Sequence, residues 1–247
     1  MMRLLSAIVV LGLALAPSSA APGLFGEPGL VLIPTADPVQ HGEYAVGVNS
    51  VDEAYRRYPQ LDPPPYHATV CHYLNVGVVP AVDVTFRLTN FDGKLFAQFA
   101  EPGERPAWVN PWGYPVGGYN VDRSLGVRLQ VLAQRGPWPA IAVGARDVTG
   151  TSYMDAHYLV FTRRFPARAD TSGRGWGLHA GFGTDALDGV FAGIDFHPTG
   201  RVGVVAEHVA SDLHLGVRWN LTQHLQLQPS LLGFRSVSAG LTWVSRL

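Results

Sequence analysis

Residues 122–147 read Asp-Arg-Ser-Leu-Gly-Val-Arg-Leu-Gln-Val-Leu-Ala-Gln-Arg-Gly-Pro-Trp-Pro-Ala-Ile-Ala-Val-Gly-Ala-Arg-Asp. Leu125, Val127, Leu129 and Val131 alternate with Ser124, Gly126, Arg128 and Gln130, and a period of two puts the sets on opposite faces of a strand. After the turn Gln134-Arg135-Gly136-Pro137, Ile141, Val143 and Ala145 alternate with Ala142, Gly144 and Arg146. The stretch is a hairpin with one apolar and one polar face. Either lipid or a soluble core could cover the apolar face, so the choice falls to the rest of the chain.

Composition narrows the class. Charged residues make up 15% of the 247 positions, below the usual quarter or so, and the formal net charge is −1. That balance excludes a basic nucleic-acid footprint. Gly 28, Pro 19 and 11% aromatics favour many short strands joined by turns. Residues 1–20 have the form of a signal peptide: Arg3 is the positive start, Leu4 to Ala16 the apolar run and Pro17-Ser18-Ser19-Ala20 the small-residue exit, with cleavage expected after Ala20. Cys71 is the single cysteine, so an intramolecular disulfide and a CxxC site are both excluded.

Outward from the hairpin the alternation recurs. Tyr44, Val46 and Val48 oppose Glu43, Ala45 and Gly47; Val82, Val84, Phe86 and Leu88 oppose Asp83, Thr85, Arg87 and Thr89. From Trp176 onward it repeats as a meander: Leu178 against His179, Ile194 against Asp195, Val204 against Glu207, Val217 against Arg218, Leu227 against Gln228 and Leu241 against Thr242. About twelve strands result, each of the length a tilted membrane strand needs. An all-β, antiparallel, up-and-down transmembrane barrel is expected over 43–247, behind a signal peptide at 1–20 and an N-terminal segment at 21–42. Long connections at 51–66, 91–121 and 148–155 fall at one end, with 166–175 long at the other. The terminal signature is partial, since Trp243 and Leu247 are in phase but a terminal aromatic is missing.

Charge placement supports lipid as the apolar partner. Asp83, Arg87, Arg128, Arg146, Asp195, Glu207 and Arg218 all lie opposite the apolar face, as lumen residues would. An Arg at a lipid-facing midplane position would cost about 2–4 kcal/mol. Arginine at Gly126 or Gln130 is accordingly expected to be milder than at Leu129, Val143 or Val217. A secreted β-sandwich with carbohydrate-binding ability obeys the same face rule and is the soluble alternative.

The run Gly29-Leu30-Val31-Leu32-Ile33-Pro34-Thr35-Ala36, followed by His41-Gly42-Glu43-Tyr44-Ala45-Val46-Gly47-Val48, resembles the opening of the YjbH-like family. Its chains start with Gly-x-x-x-x-Pro-Ser/Thr-Ala and then a Gly-x-x-x-x-Gly strand. The order Asp122-Arg123-Ser124, Pro139 to Gly144, Asp147, Gly150-Thr151, Tyr158-Leu159-Val160 and Arg163-Arg164-Phe165 strengthens the resemblance. It implies a bacterial outer-membrane barrel with a non-enzymatic part in exopolysaccharide or capsule export, lipid around it, and polysaccharide and other export proteins as partners. Family members are often longer, so the resemblance implies that this chain carries the barrel module.

No HExxH, GxSxG, Walker or EF-hand pattern occurs, and no catalytic residue, metal or cofactor is expected. Asp155 with His157, or Asp212 with His214, could imitate the His and acidic groups of an outer-membrane hydrolase, the enzymatic alternative. Trp108, Trp112, Tyr114 and Tyr119 in the long irregular stretch are the candidate sugar contacts, because aromatic faces stack on sugar rings.

Overall fold

A computed structural model describes residues 21–51, 69–90, 121–150, 154–166 and 174–247. The strands are β1 (Glu43–Val51), β2 (Thr69–Val79), β3 (Val82–Asn90), β4 (Val121–Leu132), β5 (Ala140–Thr149), β6 (Ala156–Pro166), β7 (Gly175–Gly183), β8 (Gly189–His197), β9 (Val202–Val209), β10 (Asp212–Asn220), β11 (Leu225–Leu232) and β12 (Ser236–Arg246). Each pairs antiparallel with its sequence neighbours, and β1 pairs with β12 to close the barrel. The fold is therefore one closed up-and-down barrel, not two packed sheets, and no strand edge is left open.

The period-two reading of the hairpin holds in three dimensions. Ser124 and Arg128 are buried inside while Val127 and Leu129 are exposed outside. Around the wall the outward row includes Phe86, Val143, Phe182, Ile194, Val217 and Leu241, all exposed. At the rim formed by the short turns, Trp176 pairs with Phe165 on one side and Phe196 on the other. Phe165 and Trp176 stack at 4.2 Å, and Trp138, Trp219 and Trp243 are exposed. The strand ends Val51, Thr69, Asn90, Val121, Thr149 and Ala156, which flank the longest intervals between strands, lie at the opposite rim, here the long-loop rim.

Inward-facing glycines are covered by rings from the adjacent strand. Gly47 registers with Tyr73, Gly144 with Tyr158 and Gly181 with Phe191. In each pair the place a Cβ would take is filled by the neighbour's ring. The aromatic side chain thus supplies the packing its neighbour lacks.

A barrel of this strand number is wider than wall side chains alone can fill. Here the N-terminal segment enters the hydrophobic core: Leu24, Phe25, Leu30, Val31, Leu32, Ile33 and Ala36 are buried together with wall residues such as Val160, Phe191, Val205 and Leu232. A filled lumen corrects the expectation that Arg would be mild at Gly126. A Cβ there would lie 3.2 Å from Arg87 Nη2 and 3.3 Å from the Ala145 carbonyl oxygen, so a long side chain has no room.

Arginine at Leu129, Val143 or Val217 should destabilise the barrel in lipid vesicles by about 2–4 kcal/mol each, as read by urea titration of heat-modifiable gel migration. Arg at Gly126 should be comparably harmful through overpacking, whereas serine there should be tolerated better. Full stability of the three outward variants would contradict the register.

Candidate functional site

The lumen is the site at which nearly all the buried charge converges, and its occupant is residues 21–40. This segment is poor in ladder-forming ability: Pro22, Pro28 and Pro34 have no N–H to donate. It folds on itself through Gly23 N–H to Glu27 O (2.9 Å), Leu24 N–H to Val31 O (2.8 Å), Leu30 N–H to Ile33 O (2.9 Å) and Thr35 N–H to Pro28 O (2.9 Å). Close approach demands glycine both in the segment and in the wall. Gly26 has φ +85° and lies against the Tyr73 ring, and wall residue Gly193 leaves the space taken by the Leu30 and Ile33 side chains.

Between its ends the segment's remaining polar groups are buried, and an orphaned buried group costs about 1–3 kcal/mol. Wall side chains meet them one after another along the lumen. Near the long-loop rim Asn49 Nδ2 donates to Leu24 O at 2.7 Å, while Arg87 donates to Ser124 Oγ at 3.1 Å and reaches Phe25 O at 3.5 Å. Deeper, Arg146 pairs with Glu27 and donates to Leu32 O at 2.5 Å. Arg218 donates to Gly29 O and Leu30 O, the latter at 2.8 Å, with Gln228 Nε2 on the same Leu30 carbonyl at 2.8 Å. Glu207 answers from the other side: its carboxylate accepts the N–H groups of Val31 (2.8 Å), Leu32 (2.6 Å) and Ile33 (3.3 Å). Towards the short-turn rim, Arg128 bridges Asp83 (2.5 Å) and Thr35 O (2.8 Å). Arg164 forks onto Asp37 of the segment (3.1 and 2.5 Å) and reaches Asp195 at 2.6 Å.

All seven lumen positions read from the sequence, Asp83, Arg87, Arg128, Arg146, Asp195, Glu207 and Arg218, therefore sit inside, and all of them join one network around the segment either directly or, for Asp83 and Asp195, through an arginine. Alternation places Asn49 and Gln228 on the polar face without singling them out, and the sequence reading missed Thr162, Arg164 and the segment's own Glu27 and Asp37. The phase of alternation in β6, with Tyr158, Val160, Thr162 and Arg164 on one face, was the available signal.

One arrangement looks catalytic. His179 Nε2 lies 2.7 Å from Asp195, and His179 Nδ1 lies 3.0 Å from Thr162 Oγ1. The same hydroxyl accepts the Ala36 N–H at 2.8 Å. A neutral imidazole that donates from Nε2 and accepts at Nδ1 satisfies all of these contacts. The chain Ala36, Thr162, His179, Asp195 is thus a complete hydrogen-bond relay behind the inserted segment, with Thr162 and His179 buried. His197 adds a second imidazole on Asp195 at 2.8 Å. Of the rim pairs, Asp155 and His157 stand 3.8 Å apart. Asp212 instead meets Arg235 at 2.5 Å, and His214 Nδ1 accepts the Gly233 N–H at 3.1 Å. Trp108, Trp112, Tyr114 and Tyr119 lie outside the described residues.

Comparison with known proteins gives a family match: residues 22–229 match the family described as exopolysaccharide biosynthesis protein YbjH. The uncharacterized lipoprotein YjbH of Escherichia coli (strain K12) is 26% identical over 162 residues, covering 66% of this chain and 19% of the relative's own length. Among solved structures, outer membrane phospholipase A of Escherichia coli is similar at TM-score 0.35 and 10% identity, over 84% of this chain and 92% of that one. The Acinetobacter baumannii outer membrane protein Omp33 is similar at TM-score 0.34 and 12% identity, over 84% and 100%.

Glu207→Leu removes one carboxylate that three buried N–H groups share. It should lower stability by several kcal/mol, at about 1–3 kcal/mol per orphaned donor, and loosen the segment. Limited proteolysis between residues 21 and 40 should accelerate in this variant and not in the outward-facing Val204→Leu. Equal protease resistance would show that the carboxylate does not hold the segment.

Proposed function

The chain belongs to the YjbH exopolysaccharide biosynthesis family, and from that premise we propose that it is an outer-membrane β-barrel with a non-enzymatic role in exopolysaccharide or capsule production or export. It spans about a fifth of the length of its curated relative, so the role is proposed for this barrel unit. The carrying observation is that an apolar exterior surrounds a lumen filled by the chain's own residues 21–40. A contiguous exterior of exposed Leu, Val and Phe is far larger than water tolerates on a soluble monomer, and the Trp and Phe residues at one rim match an interfacial girdle. The filled lumen favours a scaffold over an open conduit: a polymer would have to displace the Glu207, Arg146 and Arg218 contacts.

The hydrolase reading has less support. The hydroxyl, imidazole and carboxylate chain found among the described residues uses its hydroxyl on the Ala36 N–H and lies behind the inserted segment. We propose Trp108, Trp112, Tyr114 and Tyr119 as the polymer contacts instead, because aromatic faces bind sugar rings.

The mature protein should fractionate with outer membranes and resist carbonate extraction. Deleting it should lower surface polysaccharide, and trimming residues 108–119 should reproduce much of that loss with normal heat-modifiable migration. Asp212→Asn with His214→Gln should leave polysaccharide unchanged. Recovery in the soluble periplasm would overturn the membrane reading; polysaccharide loss in the double variant with intact assembly would promote the hydrolase.

A further inference from the structure

Successive connections at the short-turn rim carry arginines on one side of the barrel. Arg135 stands in the turn between β4 and β5, Arg174 just before β7 and Arg201 just before β9, all three exposed, and half-buried Arg163 lies near the end of β6. Among the described residues, positions 133–139, 163–166, 174–175 and 198–201 hold no Asp or Glu. The acids inside this mouth, Asp37 and Asp195, are buried and already engaged: Arg164 pairs with both, and His179 and His197 also meet Asp195. Elsewhere on the rim, the turns 80–81 and 221–224 hold no Lys or Arg, and Arg246 stands across from Glu43 on the β1–β12 seam. The positive charge is therefore concentrated on the arc from β4 to β9. At the other end of the barrel the described turns carry Asp185 and Asp188, and Arg235 there pairs with Asp212.

The arc is mounted on pinned backbone. Arg135 and Trp138 exchange backbone bonds at 3.2 and 2.9 Å, and Gln134 ties the same turn to Arg164 by accepting its N–H at 2.7 Å and donating to its carbonyl at 3.0 Å. Arg163 donates to Gly136 O at 2.6 Å and lies 5.4 Å over the Phe165 ring. The Arg201 carbonyl accepts the Asn220 N–H at 2.8 Å. A second, independent feature occupies the same arc: Trp138, Trp176 and Phe196 are exposed there, with Phe165 stacked on Trp176. Indole rings settle at the headgroup level of a bilayer, and a guanidinium fork matches phosphate oxygens. An acidic soluble partner would call for the arginines alone; exposed indoles at the same height select a membrane interface. The charge then selects the headgroup. A zwitterionic headgroup brings an ammonium for which these turns offer no carboxylate, whereas a net-negative one leaves no charge unanswered.

We propose that Arg135, Arg163, Arg174 and Arg201, with Trp138 and Trp176 beside them, bind net-anionic phospholipid in the leaflet that meets the short-turn rim. Clustered arginines at a bilayer surface attract such lipids, each contributing separately and within a Debye length. Anionic lipid held on this arc fixes which way the barrel faces and how deep that side sits. The inference rests on the bilayer placement proposed above and is independent of the polysaccharide role.

Native mass spectrometry of the full chain in maltoside micelles gives apparent affinities for phosphatidylglycerol and phosphatidylcholine. Phosphatidylglycerol should be preferred at low salt. Arg135→Gln and Arg201→Gln, both outside the strands, should each reduce that preference by about fivefold, and the variant with all four arginines replaced by glutamine should lose it, with heat-modifiable migration confirming that each variant folds. Arg123→Gln, on the outer face towards the long-loop rim, should leave it unchanged. Equal binding of the two lipids by the unaltered chain, an undiminished preference in the fourfold variant, or an equal loss in Arg123→Gln overturns the arc as a lipid site. Polygalacturonate serves as the acidic-polymer control: if it binds through the same four arginines more tightly than phosphatidylglycerol, the lipid assignment is overturned. Because the measurement is made in micelles, its failure leaves the fractionation result untouched.

Discussion

A buried peptide group without a partner is the constraint around which this molecule is arranged. Residues 21–40 are enclosed by a wall whose own backbone groups are spent on the closed ladder, so the wall has only side chains to offer. That explains why a barrel with an apolar exterior holds so many charges inside. The arginines point at carbonyls of the segment, and Glu207 points at three of its N–H groups. Charge-assisted bonds of this kind are roughly twice as strong as neutral ones, and removal of either partner leaves a buried charge or an orphaned amide.

The same constraint gives physical content to the motif that carries the family resemblance. Gly29 has no side chain because its Cβ position is only 2.6 Å from Ile33 O. Pro34 contributes a residue with no N–H to satisfy, and Thr35 and Ala36 present the carbonyl and N–H taken by Arg128 and Thr162. The motif is therefore the folded tip of a lumen segment together with its exit towards β1. Its apolar residues Leu30, Val31, Leu32 and Ile33 lie in the buried core and are absent from the barrel's outer surface.

A filled lumen shifts attention to the two rims and the outer wall. At the short-turn rim, Arg164 joins Asp37 of the segment to Asp195, so this mouth is held by a partly exposed ion-pair cluster. At the long-loop rim the wall ends in polar groups from separate hairpins. In both places residues far apart in sequence meet because neighbouring strands deliver them to one height on the barrel.

Alternation alone determined the strands, their facing and the inward placement of Asp83, Arg87, Arg128, Arg146, Asp195, Glu207 and Arg218, because a strand's side-chain period is a local geometric property. Low charge content and turn spacing likewise pointed to one meander. The occupant of the lumen was not legible. Residues 21–40 have neither helical nor strand period, and what they touch depends on β1, β4, β5, β6, β9, β10 and β11 closing around them. The meeting of Arg164 with Asp195 was hidden for the same reason: hydrogen-bonded register between strands, not distance along the chain, decides which side chains share a rim.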